Sequence, residues 1–261
     1  MQLKELISVT DSLFYADKNS YKVIRSKQKE LLNFIKPSIN IKKIDYKIIN
    51  SYIEFLKNKN NSNTTINAKL SYLNHILNYA YHNNLIDNKP YIPCFKVTPQ
   101  KFKTITPLEL SCLIWKCREH NFKSLAKILL IGYYTGLRIN NILSLRKSNI
   151  DNNKFLIKDI KTKSYYTIPI SNKIKFITDN FKPFDLKYQQ VYYQFNLIKQ
   201  ELKLDKQITI HTLRHSFCSN LINKGVPITT IQKLANHKKL TTTVRYSHIN
   251  EQELQKAISM L

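Results

Sequence analysis

Imidazoles, a guanidinium and a phenol recur at fixed spacings near the end of this chain. They lie in His211-Thr212-Leu213-Arg214-His215, then Leu234-Ala235-Asn236-His237, then Val244-Arg245-Tyr246-Ser247-His248. Arg214 lies 23 residues before His237, and Tyr246 lies 9 after it. Upstream, Thr135-Gly136-Leu137-Arg138 supplies a second arginine and Lys161-Thr162-Lys163 a candidate proton donor. These are the parts needed to move a phosphodiester onto a tyrosine without a metal. Negative charge on the non-bridging phosphate oxygens grows as a nucleophile adds. Arg138 and Arg214 offer permanently charged, bidentate donors to that charge. The glycine-containing break before Arg138 lets its side chain enter a cleft. His211 and Arg214 are spaced i, i+3 and share a face if the segment is helical. An imidazole there can hydrogen-bond a phosphate oxygen or accept the nucleophile's proton. A neutral phenol has a pKa of about 10, so it needs flanking cations or a base to attack.

His211 and His215 are also spaced i, i+4, as zinc-binding histidines are. The zinc-hydrolase pattern places Glu directly after the first His, whereas Thr212 stands here, with no cysteine or carboxylate cluster beside it. No metal is expected. The three glycines, Gly132, Gly136 and Gly225, form no glycine-rich nucleotide loop, so neither ATP nor NAD nor another cofactor is expected.

The formal charge is +25, from 42 Lys and Arg against 17 Asp and Glu. An AT-rich genome accounts for part of the Lys, Asn and Ile content, but codon bias alone would also favour Glu and Asp. Their scarcity points to a polyanionic partner. The basic residues are spread along the whole chain instead of lining one amphipathic helix, which favours double-stranded DNA over a membrane surface. No apolar run reaches the roughly 18–20 residues of a membrane span, and Met1-Gln2-Leu3-Lys4-Glu5-Leu6 lacks a signal-peptide core. Cys94, Cys112, Cys117 and Cys218 form neither a CxxC pair nor a disulfide framework, so they read as reduced thiols of a cytoplasmic protein.

The elements that must hold these groups fall into two parts. Residues 1–95 read as helical. Ile48, Ile49, Tyr52, Ile53, Phe55 and Leu56 recur at helical intervals. A second stripe, Ile66, Leu70, Leu73, Ile76, Leu77 and Ala80, follows the capping run Ser62-Asn63-Thr64-Thr65, and Pro90 and Pro93 close the helical region. Residues 96–104 are short, basic and proline-containing, as an interdomain linker near DNA would be. The second domain, 105–261, opens on Thr106-Pro107-Leu108-Glu109, a capping box with proline at the first helical position. Helices are expected over about 107–119, 122–135 and 139–146, then two β runs, Phe155–Ile157 and Tyr165–Ile170, then helices again. Leu254, Ala257, Ile258 and Leu261 form an apolar stripe suited to docking on a neighbouring subunit. Helical docking on its own domain is the alternative.

The ordered patches resemble the tyrosine recombinases, the family of phage integrases and Xer-type enzymes, over about residues 20–250. The resemblance implies a mainly α fold with a small β-sheet: a helical, SAM-like core-binding domain and a mixed α/β catalytic domain. It implies a site-specific recombinase that cleaves and rejoins DNA through a 3′-phosphotyrosyl intermediate. The expected partners are a double-stranded recombination site and, in the synapse, a homotetramer formed from monomers or dimers. A nucleoid-associated, cytoplasmic location follows. Carried over residue by residue, the catalytic set is Arg138, Lys161, His211, Arg214, His237 and Tyr246. Ser247-His248-Ile249 matches the family phrase after its nucleophile. Lys161 is found by counting back 8 from Pro169, with Lys163 the alternative. His215 matches a position that supports the fold or the site. Tyr165 and Tyr166 fall on a strand and read as core or surface rings. Two positions depart from the family pattern. Asn141 stands where an acid is common three residues after the first arginine, and Asn236 stands where glycine is usual. Asn tolerates a left-handed backbone, so the turn at 236 is expected to persist. The competing functional classes are a catalytically silent DNA-binding protein of the same fold, and a type IB topoisomerase-like or telomere-resolving enzyme.

Overall fold

The computed structural model describes residues 1–16, 21–97, 102–159 and 164–244. Lys161, Lys163, Tyr246 and the C-terminal stripe lie outside these residues. The chain divides into two compact units, Met1–Thr98 and Pro99–Leu261.

The first unit contains helices α1 (Leu3–Phe14), α2 (Tyr21–Phe34), α3 (Tyr46–Asn58) and α4 (Asn63–His82). The starts of α3 and α4 have local causes. Asp45 Oδ1 accepts from the Ile48 amide at 3.0 Å and starts α3. Ser62 Oγ accepts from the Thr65 amide at 3.3 Å and starts α4. The two apolar stripes read from the sequence supply the core: Ile49, Tyr52, Ile53 and Leu56 from α3, and Ile66, Leu70, Leu73, Ile76, Leu77 and Ala80 from α4. α4 stops well before Pro90, because Asn84 adopts a left-handed φ of 55° and Leu85 N–H turns back to Ala80 O at 2.9 Å. Asn67 then clamps the following segment, donating to Phe95 O at 2.7 Å and accepting from Phe95 N–H at 2.8 Å.

The second unit begins with α5 (Pro107–Glu119), whose capping box forms as the sequence requires: Thr106 N–H donates to Glu109 Oε2 at 2.7 Å, and Glu109 N–H donates to Thr106 Oγ1 at 3.2 Å. It continues through α6 (Lys123–Thr135), α7 (Ile139–Leu143), strands β1 (Ile150–Asp151), β2 (Lys154–Lys158) and β3 (Tyr165–Pro169), then α8 (Lys175–Asp179), α9 (Tyr188–Glu201), α10 (Thr212–Asn223), α11 (Ile228–Leu234) and α12 (Leu240–Val244). The architecture is mainly α with a small sheet. The sheet is an antiparallel meander, β1-β2-β3, with Phe155 opposite Ile168 and Ile157 opposite Tyr166. Phe155, Ile157 and Ile168 enter the core, as the two-residue alternation demands. The sequence reading missed β1. Its signal was the pair Asn152 and Asn153, both left-handed at φ 44° and 58°, the backbone of a two-residue hairpin turn. α7 is shorter than expected, because Arg146 N–H donates to Asn149 Oδ1 at 2.8 Å and draws the chain into the turn before β1.

α6 is buried and packs against α5, α7 and α10. Gly132 permits the approach to α10, since a Cβ there would lie 3.1 Å from Leu213 Cδ1. Gly136 ends α6 with φ 64°, and a Cβ at that position would overlap the Phe217 ring of α10. Both contacts set the register of α10 and hence of Arg214. Among the described residues, no helix is long and apolar enough to cross a membrane.

Candidate active site

The left-handed Gly136 turns the chain out of α6, so that Leu137 is buried and Arg138 becomes the exposed N-cap of α7. Among the described residues, the Arg138 guanidinium donates to no protein acceptor. Arg214, by contrast, is 3% exposed. Its Nη1 donates to Gly136 O at 2.6 Å and its Nη2 to Ala235 O. One buried guanidinium thus joins the turn that carries Arg138 to the turn that carries His237. Two of its five N–H donors are used in this way.

His211 lies one residue before α10, and Arg214 is in the first turn of the helix. His211 and His215 meet edge to face with centroids 4.8 Å apart, and His215 stacks on Phe102 with centroids 4.2 Å apart. His237 is buried behind Asn236, which holds the left-handed φ of 47° expected of the family's glycine. Its Nδ1 lies 2.9 Å from Thr243 Oγ1 of α12. Arg138, Arg214, His211, His215 and His237 are therefore brought together. The sequence reading missed Thr243 and Phe102, and nothing in their local pattern marks them. It also read Tyr166 as an ordinary ring. Its signal was β alternation, which puts Tyr166 on the same strand face as the buried Ile168. Its phenol accepts from Asn141 Nδ2 at 3.1 Å and feels both arginines.

The electrostatics follow from this crowding. Desolvation, then Arg214 and Arg138, lowers the pKa of His211, although the residue keeps an exposed surface. Desolvation, followed by His211 and Arg214, pushes His215 down to about 4. Desolvation and the two arginines, with smaller effects of His211 and His215, push His237 down to about 4. These imidazoles are neutral at pH 7. An unfolded histidine titrates at about 6.5, so between that value and 4 the unfolded chain binds more protons than the folded one. The contribution of these neutral rings to stability is accordingly fully present above pH 6.5 and declines as pH falls toward 4. Thermal melting followed across that window should show a progressive fall in Tm. His215→Phe, which keeps the aromatic stack, should flatten the fall. A wild-type Tm indifferent to pH in this range would contradict the burial of neutral rings. Among the described residues, no three metal-ligating side chains form a group.

A helical unit followed by a mixed unit with converging arginines and histidines is the arrangement expected of a tyrosine recombinase. Residues 6–97 match the phage integrase SAM-like domain, and residues 172–253 match the phage integrase family. The tyrosine recombinase XerC of Staphylococcus aureus strain MSSA476 is 26% identical over 265 residues, spanning 89% of this chain and 88% of the relative. The Tn1549 transposon integrase in complex with transposon right end DNA superposes with a TM-score of 0.86 at 17% identity, covering 100% of this chain and 99% of that one. The lambda integrase tetramer bound to a Holliday junction superposes with a TM-score of 0.80 at 15% identity, covering 95% of this chain and 78% of that one. The chain belongs to the tyrosine recombinase, or phage integrase, family.

Proposed function

We propose that this protein is a site-specific DNA strand transferase that works through a 3′-phosphotyrosyl intermediate, in chromosome dimer resolution or in the integration and excision of a mobile element. The observation that carries the reading is the convergence of Arg138, Arg214, His211 and His237, held by the Arg214 bonds to Gly136 and Ala235. In this reading the Tyr246 oxygen attacks the scissile phosphorus, the bond to the 5′-oxygen breaks, and Lys161 protonates that oxygen. His211, neutral at pH 7, takes the phenolic proton. Arg138 and Arg214 stabilise the non-bridging oxygens. In this reading Thr243 donates to His237 Nδ1, so that the ring carries its proton on Nε2 and offers it to a phosphate oxygen. The phosphotyrosyl ester conserves the energy of the broken bond, so rejoining needs neither ATP nor a metal.

Residues 1–95 are read as the core-binding domain, 96–104 as the linker and 105–261 as the catalytic domain. With a charge of +25, affinity for duplex DNA should fall steeply with salt as counterions are released. Both domains should be needed for full affinity. A nicked suicide substrate, which loses the strand needed for religation, should trap a covalent protein–DNA adduct. Sequencing the trapped DNA identifies the site. Binding without any adduct would instead identify a silent DNA-binding protein.

The sequence stripe Leu254, Ala257, Ile258 and Leu261 supports assembly through the tail, and the Holliday-junction tetramer of lambda integrase sets the precedent for four subunits. We expect a monomer in free solution, dimers on one site and tetramers in the synapse. Deleting residues 251–261 should preserve single-site binding and abolish recombination. Unimpaired recombination by the truncated protein would refute docking in trans and favour a monomer-competent, topoisomerase-like enzyme.

A further inference from the structure

We propose that two side-chain tethers, Asn141 to Tyr166 and Asn236 to Asp159, aim the β2–β3 hairpin at the leaving group, and that Tyr166 is a positioning residue for the leaving-group proton. The inference rests on the strand-transfer reading above.

Each tether joins the hairpin to a residue close to one of the site's charged or imidazole groups. From β3, the Tyr166 oxygen accepts from Asn141 Nδ2 at 3.1 Å, and Asn141 is three residues beyond Arg138. From the end of β2, Asp159 Oδ2 accepts from Asn236 Nδ2 at 3.2 Å, and Asn236 directly precedes His237. Asp159 N–H also donates to Ser164 O at 2.8 Å. Asp159 and Ser164, the described residues on either side of Lys161 and Lys163, therefore close this end of the ladder. The hairpin is thus tied to two elements of the arginine and histidine cluster, β3 to α7 and the end of β2 to the turn before His237. A two-stranded ribbon has marginal stability of its own, so its end needs such external ties to hold a fixed direction.

The two anchoring residues are the two that depart from the family pattern. A carboxylate at 141 could only accept a hydrogen bond, whereas the Asn141 amide donates to the phenol. A glycine at 236 would have no side chain to reach Asp159. The departure at 236 thus creates a contact to the hairpin, and the one at 141 makes the residue the donor to a phenol from which a carboxylate could only accept. The Tyr166 phenol is half-buried, with Arg138 and Arg214 close by. Burial raises its pKa despite the two arginines and the Asn141 and Asn236 amides, so it remains a neutral acceptor and not a competing nucleophile. A proton donor must reach the leaving oxygen within hydrogen-bond distance, and about 1 Å of misplacement can cost on the order of 100-fold in rate.

The test compares cleavage of ordinary DNA with cleavage of a 5′-bridging phosphorothiolate, whose leaving sulfur needs no proton. Lys161→Ala and Lys163→Ala identify the variant that the sulfur substrate rescues. Tyr166→Phe keeps the ring and should cleave ordinary DNA about 10- to 100-fold more slowly. It should return to the wild-type rate on the phosphorothiolate, with the adduct still on Tyr246. Asn141→Ala should behave likewise, and the double variant should be no slower than the worse single one, as two halves of one contact require. Asn141→Ala also keeps the test open if Tyr166→Phe does not fold. Tyr165→Phe, altered on the exposed neighbouring ring, serves as the control. Wild-type rates on ordinary DNA, or a defect equally deep on the phosphorothiolate, would overturn the proposal. Absence of an adduct from the wild-type protein on both substrates would overturn the strand-transfer reading instead.

Discussion

Tyr246→Phe is expected to bind duplex DNA like the wild-type protein and to form no covalent adduct on a nicked suicide substrate. The substitution removes a single oxygen, and the DNA-binding charge of +25 is untouched. Loss of the nucleophile in a covalent mechanism costs on the order of 10⁶ in rate, which places residual cleavage below detection. The chain has sixteen tyrosines, so specificity must be shown by a second ring. Tyr165 is 61% exposed on β3, and Tyr165→Phe should leave the adduct intact. Denaturing electrophoresis of labelled DNA reads both results. A 3′-phosphotyrosyl band from the Tyr246→Phe protein would falsify the assignment of the nucleophile.

Arg214→Ala should have the next largest effect, and should differ in kind from Arg138→Ala. Removing one preorganised donor to a developing oxyanion costs about 10²–10³ in rate, and both variants should lose at least that much. Arg214 also holds the Gly136 and Ala235 carbonyls together in a buried setting. Leaving a buried acceptor unsatisfied costs about 1–3 kcal/mol, so Arg214→Ala should lower the Tm as well. Arg138 is exposed at a helix start, and its replacement should leave the Tm unchanged. Arg214→Lys keeps the charge but loses the fork that reaches both carbonyls, and should remain slow and destabilised. Neither arginine variant should be rescued by a phosphorothiolate leaving group, because the defect lies at the non-bridging oxygens. Equal Tm values for Arg214→Ala and the wild-type protein would show that the two carbonyl bonds do not hold the site together.

Much of this was determined by the sequence alone. Capping at Thr106, the core stripes of α3 and α4, and the left-handed turn at Asn236 depend on contacts within a few residues, and local pattern is sufficient for those. The arginines and histidines that converge were singled out as ordered short phrases that resemble the family's, whereas Lys161 and Tyr246 lie outside the described residues. Tertiary structure alone decided which of these groups meet. The bonds from Arg214 to Gly136 and Ala235 span 78 and 21 residues, and no periodicity encodes them. Only packing revealed that Phe102 stacks on His215 and that Thr243 reaches His237. The same holds for Asn141 and Tyr166, 25 residues apart. In the sequence they are a missing acid and an ordinary strand ring. They become partners because β alternation turns Tyr166 inward just where α7 presents the buried Asn141, and a buried amide must find an acceptor.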